Sequence, residues 1–263
     1  MQHAPDPIPD SRDDLLAAIR ARTPARLLVG RSGPAYRTAT QLALRGDHAA
    51  ALDAVRTELD PTRDFGQEFL DRWKLFEVRS GAASKDEFLM RPDLGRSFSP
   101  EGAAEISNRC PRGAVIQVVV ADGLSAAAVA AQVPSLLPLL EQGAREREWR
   151  FGQPFVVRYG RVGLLNEIGA LLDPTVAVLL IGERPGLATA ESLSAYLAFR
   201  PRPGNTDAVR NLISNIHARG VPPADAAPRI LDLAGQMIQL QKSGTSVKEN
   251  LRAIGTPPLL VRK

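Results

Sequence analysis

The spacing of apolar residues changes near residue 114, and the change divides the chain. Before it, apolar positions recur at helical intervals in short segments. SRDDLLAAIRART (residues 11–23) sets Leu15, Leu16 and Ile19 on one face behind Ser11, a suitable N-cap. TATQLALRGDHAAALDAVRTEL predicts one or two more helices, weakened at Gly46. The stretch WKLFEVRSGAASKDEFLMRPDLGR is short, mixed and turn-rich. Ser99 as cap, Pro100 at the first helical position and Glu101 in the first turn then start a further helix. By this pattern residues 1–110 are a mainly helical region that buries little by itself and leans on a partner or on the next domain.

From Ala114 the apolar runs become continuous and β-branched. AVIQVVVADG, PFVVRYG and VAVLLIG do not alternate, as expected for strands covered on both faces. Between them lie helical segments: LSAAAVAAQ, then, after a proline break, PSLLPLLEQGAREREW, and later RVGLLNEIGALL. SLSAYLAF reads as an additional edge strand, and PADAAPRILDLAGQMIQLQ as a long C-terminal helix. Strand alternating with helix is the grammar of a parallel sheet with crossover helices. The expectation for residues 111–263 is therefore an α/β, Rossmann-like, mostly parallel sheet with flanking helices.

This topology gathers three loops at the carboxyl edge of the sheet, where ligands of open parallel sheets bind: ADGLS (121–125), RYGRVG (158–163) and GERPG (182–186). None carries a phosphate fingerprint. No Gly-Lys-Ser/Thr follows GERPG, and no strand is followed by G-x-G-x-x-G. Asp122 and Ser125 stand at a helix start, where capping by one of them suffices.

Composition narrows the partners. The chain has 263 residues, 33 of them basic and 29 acidic. Only Lys74, Lys85, Lys242, Lys248 and Lys263 are lysines, and all other basic residues are arginine. Six of these arginines lie between Leu15 and Gly46 without an intervening acid, an arm suited to phosphates or an acidic partner. Aromatics make up 5% of residues and do not cluster, so no nucleic acid is expected as partner. No apolar run approaches the roughly 20 residues of a membrane span, and the N-terminus lacks the pattern of an export signal. A cytoplasmic protein is expected. The single Cys110 excludes an internal disulfide and reads as a small buried residue.

NIHARG (215–220) approaches Asp-x-His-x-x-Gly, in which a histidine replaces the base of cobalamin. Asn215 stands in the aspartate's place, and 43 residues follow Gly220, so His217 reads as a hydrogen-bonded structural histidine. His3 and His48 have no partner at metal-ligand spacing. Neither a catalytic residue nor a metal ligand is assigned to this chain.

Several stretches taken in order are more specific: RTPARLLVGRSGPAYRT, LFEVRS, RPDLGR, ADGLS, PFVVRYGRV, LLIGERPG, ESLSAY and SNIHARG. Together, from about Arg22 to Gly244, they resemble the small (light) subunit of ethanolamine ammonia-lyase. The resemblance implies an adenosylcobalamin-dependent radical enzyme that converts ethanolamine to acetaldehyde and ammonia. It further implies a TIM-barrel large subunit holding substrate and catalytic residues, and a hetero-oligomer of six large and six small subunits. The small subunit would close over a cobalamin whose own dimethylbenzimidazole stays on cobalt. Residues 1–110 would pack on the large subunit and residues 111–263 would contact cobalamin.

The family's cofactor contacts fall on Val162, Glu183 and Leu212. The last is a cysteine in familiar members, a change that a backbone contact tolerates. Glu183 and the Val162 carbonyl would accept from corrin amides. Arg161, or the amides of Gly123 to Ser125, would meet the phosphate of the nucleotide tail. Two other readings stand beside this one: a self-sufficient nucleotide-binding α/β enzyme, and a structural subunit that touches no cofactor. Longer family members carry an N-terminal extension associated with encapsulation. The short stretch before the first helix favours a free enzyme over residence in a bacterial microcompartment.

Overall fold

The computed structural model describes residues 11–21, 27, 29–186 and 189–249. A helix α1 (Arg12–Ala21), a hairpin of β1 (Arg31–Ser32) and β2 (Ala35–Tyr36), and a helix α2 (Thr38–Arg56) come first. Ser11 caps α1, its Oγ accepting from the Asp14 amide at 3.1 Å. The helix α2 runs unbroken through Gly46 and has no buried residue. Two short helices, α3 (Pro61–Phe65) and α4 (Gln67–Trp73), lead into β3 (Glu77–Arg79). Next come α5 (Lys85–Met90) and α6 (Pro100–Arg109), the latter capped by Ser99 Oγ on the Gly102 amide at 3.1 Å.

The alternating half follows: β4 (Ile116–Ala121), α7 (Ala126–Glu146), β5 (Phe155–Arg158), α8 (Leu164–Leu172) and β6 (Val176–Gly182). Two further strands, β7 (Leu193–Phe199) and β8 (Asn211–Ile216), precede the helix α9 (Pro223–Leu240). The expected α/β architecture is present. Six strands form one sheet in the order β3-β5-β4-β6-β7-β8. The first four are parallel, and β7 and β8 run antiparallel to their neighbours.

Alternate residues of β4 serve opposite faces of the sheet. Val118 and Val120 pack with Val133, Leu137 and Leu140 of α7 and with Ile230 of α9. Val119 packs with Leu165 and Ile168 of α8 and Ile106 of α6. Both faces are thus covered, which is why β4 and β6 are buried at every position. No helix among the described residues is long and apolar enough to cross a membrane.

Three sequence expectations are corrected. The break at Pro134 does not occur, because α7 is one helix containing both Pro134 and Pro138. Each interior proline costs about 3 kcal/mol in a helix, but a face that buries Val129, Val133, Leu136, Leu137 and Leu140 outweighs that local penalty. SLSAYLAF does not form an edge, since β7 lies between β6 and β8 and is buried accordingly. The edge is β8, most of which lies ahead of NIHARG in a stretch not read as a strand. On the opposite side, the three-residue β3 comes from the segment read as turn-rich and pairs with β5.

Candidate functional site

The order β5-β4-β6 places a switch of chain direction at β4, with α7 and α8 on opposite faces of the sheet. A crevice opens at such a point beyond the strands' carboxyl ends. Here the three expected loops do meet. The Leu124 amide donates to Gly182 O at 3.1 Å, and the Gly160 amide donates to Asp122 Oδ1 at 3.2 Å.

Close approach of backbone makes two glycines necessary. Gly123 has φ +55°, and a Cβ there would stand 2.4 Å from Gly182 O. A Cβ on Gly182 would stand 2.1 Å from Ser125 O and 2.6 Å from Asp122 O. Gly182→Ala is therefore expected to destabilise the chain by about 1–3 kcal/mol through overpacking, read as a lower urea midpoint. An unchanged midpoint would mean that the two loops are free to separate.

Between the loops lies a cleft of about 310 Å³ that brings together Val162, Glu183 and Leu212, with Leu124, Arg161 and Tyr196 also on its walls. The three sequence-nominated positions come from the β5–α8 loop, the end of β6 and β8. Leu212 is 46% exposed and presents its side chain to solvent beside the cleft. Val162 O accepts from the Leu165 amide at 3.2 Å, which leaves its second lone pair open.

Glu183 carries more local structure than its motif suggests. Its Oε1 accepts from Ser194 Oγ at 2.6 Å and from the Asn215 amide at 2.9 Å, while Oε2 accepts from Ser192 Oγ at 2.8 Å. The carboxylate thus ties the end of β6 to β7 and β8, and it fixes Asn215 at φ +61°. A carboxylate offers roughly four acceptor sites, so one remains, on Oε2. The sequence did hold a signal for this: Ser192 and Ser194 in ESLSAY are two apart on a strand and share a face.

Beyond Asn215 the chain turns through His217, which is 3% exposed. His217 Nε2 lies 2.8 Å from Asn215 Oδ1, and its Nδ1 accepts from the Arg219 amide at 3.3 Å. Both ring nitrogens are occupied, as a structural histidine requires. Cys110 is also buried, and burial pushes its thiol up to about 12, far from a reactive thiolate.

Under the cleft floor is a pair that the sequence did not reveal. Asp122, at the end of β4, is 0% exposed, and Lys85 of α5 is 6% exposed. Lys85 Nζ lies 3.8 Å from Asp122 Oδ2 and donates to Gly123 O at 3.3 Å. Burial raises the Asp122 pKa to about 6 against the pull of Lys85, and burial lowers that of Lys85. Ser125 is the cap of α7, its Oγ accepting from the Ala128 amide at 3.1 Å. The Leu124 and Ser125 amides are spent on Gly182 O and Asp122 O, so these nominated phosphate donors are already engaged.

The cleft therefore combines apolar walls, one open carboxylate site and a cationic rim containing Arg161 and Arg184. The family model described as the ethanolamine ammonia-lyase light chain matches residues 13–248. The ethanolamine ammonia-lyase small subunit of Clostridium perfringens is 41% identical over 230 residues, covering 88% of this chain and 76% of that one. The chain belongs to the ethanolamine ammonia-lyase light-chain family.

Proposed function

We propose that this chain is the small subunit of an adenosylcobalamin-dependent ethanolamine ammonia-lyase, and that its cleft closes one side of the cofactor. The observation that carries the reading is the meeting of Val162, Glu183 and Leu212 around one cleft at the carboxyl edge of the sheet. The residues suit a corrinoid in kind. Leu124, Val162 and Leu212 offer apolar contact, while Glu183 Oε2 and Val162 O offer acceptors for peripheral amides.

Size argues that the site is shared. At about 310 Å³ the cleft lies near the lower end of the range for drug-sized ligands, about 300–1,000 Å³. A corrinoid with its nucleotide tail is larger, so this chain supplies one wall and a large subunit the other. Adenosylcobalamin, when bound, supplies a carbon radical by homolysis of its cobalt–carbon bond. This chain's residues hold the corrin's edge and keep water from one side.

The N-terminal region, residues 1–110, is assigned to contact with the large subunit. Leu42 and Leu52 of α2 are 61% and 54% exposed, and no residue of that helix is fully buried. Six large and six small subunits would complete the assembly, with substrate and catalytic groups in the large one.

The test is reconstitution. The purified chain alone is expected to release no ammonia from ethanolamine, and the large subunit with adenosylcobalamin is expected to restore release. Turnover by the lone chain would sink the accessory-subunit reading.

A further inference from the structure

A second cleft, of about 680 Å³, adjoins the first and shares Arg161 and Val162 with it. Three arginines line it, and they arrive from three separate segments. Arg96 ends the 3-10 turn Leu94–Arg96, Arg161 lies in the β5–α8 loop, and Arg210 precedes β8. Each is held in place. The stem of Arg96 lies on Gly163, where a Cβ would come within 2.7 Å of Arg96 Cγ. Arg161 sits 4.1 Å above the Phe88 ring and donates from Nη2 to Phe88 O at 3.2 Å. The Arg210 side chain is 5% exposed; it pairs with Asp207 and donates to Asn166 Oδ1 at 3.0 Å.

Local acids offset this group only in part. Asp207 is committed to Arg210, and Glu167 accepts from the Phe98 amide at 2.6 Å. Among the described residues, neither Arg96 nor Arg161 makes an ion pair. Arg161 and Arg210 each leave a buried Nε–H without an acceptor, although such groups are normally satisfied. Burial lowers the pKa of Arg161, and Arg184 and Arg96 add to the effect; burial also lowers that of Arg210, against the pull of Asp207 and with a smaller push from Arg96. The cations are crowded at a cost that an anion would relieve. Forked N–H donors from three arginines, two of them without an ion-pair partner among the described residues, match an acceptor bearing several charged oxygens.

We propose that Arg96, Arg161 and Arg210 form a binding site for a phosphoryl group. Two sources share this chemistry: the phosphodiester in the nucleotide tail of a corrinoid seated in the first cleft, and free phosphate. Only the first source rests on the cobalamin reading.

Arg96→Met is the informative variant, because Arg96 is exposed and its loss should leave the fold intact. Inorganic phosphate is titrated into the full chain by calorimetry at constant ionic strength. In parallel, cyanocobalamin and dicyanocobinamide, which lacks the nucleotide tail and its phosphate, are titrated into the complex with the large subunit. The expected result is that Arg96→Met weakens phosphate or cyanocobalamin binding roughly tenfold, the size of one lost charge-assisted contact. A loss confined to cyanocobalamin, with cobinamide unchanged, assigns the site to the tail phosphodiester. A loss confined to inorganic phosphate assigns it to the free anion. Unchanged affinity for both phosphate and cyanocobalamin overturns the proposal. If the wild-type complex binds neither corrinoid, the cobalamin reading fails, and the phosphate titration still decides this one.

Discussion

Lys85→Met is expected to destabilise the chain by about 3–5 kcal/mol near pH 8, the usual cost of leaving one member of a buried ion pair uncompensated. Asp122 would then keep a charge at 0% exposure with the Gly160 amide as its hydrogen-bond donor, because Oδ2 has no donor even in the intact protein. The expected pH dependence separates lost charge from lost packing. Burial holds the folded pKa of Asp122 at about 6, above the usual 3.8. Between those values the folded state binds more protons than the unfolded state, so stability falls as pH rises. Without Lys85, whose charge lowers this pKa, the fall should extend to higher pH. Urea midpoints of variant and wild type should therefore lie closer together at pH 5, where the carboxyl is largely neutral, than at pH 8. An equal deficit at both values would show that Lys85 acts through packing alone. Lys85→Met combined with Asp122→Asn should recover much of the loss, since Asn keeps an acceptor for Gly160 and carries no charge.

The ion pair also links the N-terminal region to the cleft. Lys85 belongs to α5, before the alternating half of the chain, yet its ammonium holds the carbonyl of Gly123. Gly123 in turn lies against Gly182, the residue before Glu183. Both members are pushed by burial toward their neutral forms. The pair therefore positions the ADGLS loop at an energetic cost instead of adding net stability, as buried ion pairs often do.

Legibility in the sequence followed how local each cause was. The strands β4 and β6 are covered on both faces, so their apolar runs are unbroken and betray them. Capping by Ser11 and Ser99 is a matter of three or four residues and is visible directly. The strand β3 has one buried residue, Val78, between two charged ones, and no periodicity can be read from three positions. In β8 only Ile213 and Ile216 are buried, so an edge strand there resembles an irregular turn. The prolines of α7 mislead because the tertiary face that overrules them lies elsewhere in the chain.

At the site the same rule holds. The convergence of the three loops follows from strands alternating with crossover helices in a parallel sheet, and that alternation was legible. Lys85 in SKDEF looks like any solvated lysine in the first turn of a helix. Its burial depends on Phe88 and on a loop 38 residues away. Arg96 and Arg210 are separated by over a hundred residues, so their sharing of one cleft appears only after folding.

Glu183→Gln is expected to weaken cobalamin binding to the assembled complex by roughly 10- to 100-fold, the range for a lost hydrogen bond to a charged acceptor, about 1.5–3 kcal/mol. Glutamine is the decisive substitution because the carboxylate has two tasks. Glu183→Ala would strip Ser192, Ser194 and the Asn215 amide of their acceptor at once, and the resulting loss of order in β8 would itself disturb Leu212. In Glu183→Gln, Oε1 can still receive Ser194 and Asn215, while the amide nitrogen replaces Oε2 and the Ser192 hydroxyl turns to accept from it. The fold is retained, and the one open acceptor becomes a donor facing the donor N–H groups of a corrin amide. The readout is cofactor affinity by titration of the complex, with the urea midpoint of the chain as control. A fall in affinity with a stable midpoint places Glu183 on the cofactor. Unchanged affinity would leave Glu183 as a clip between β6, β7 and β8, and would favour a small subunit that supports its partner without touching the corrin at this loop.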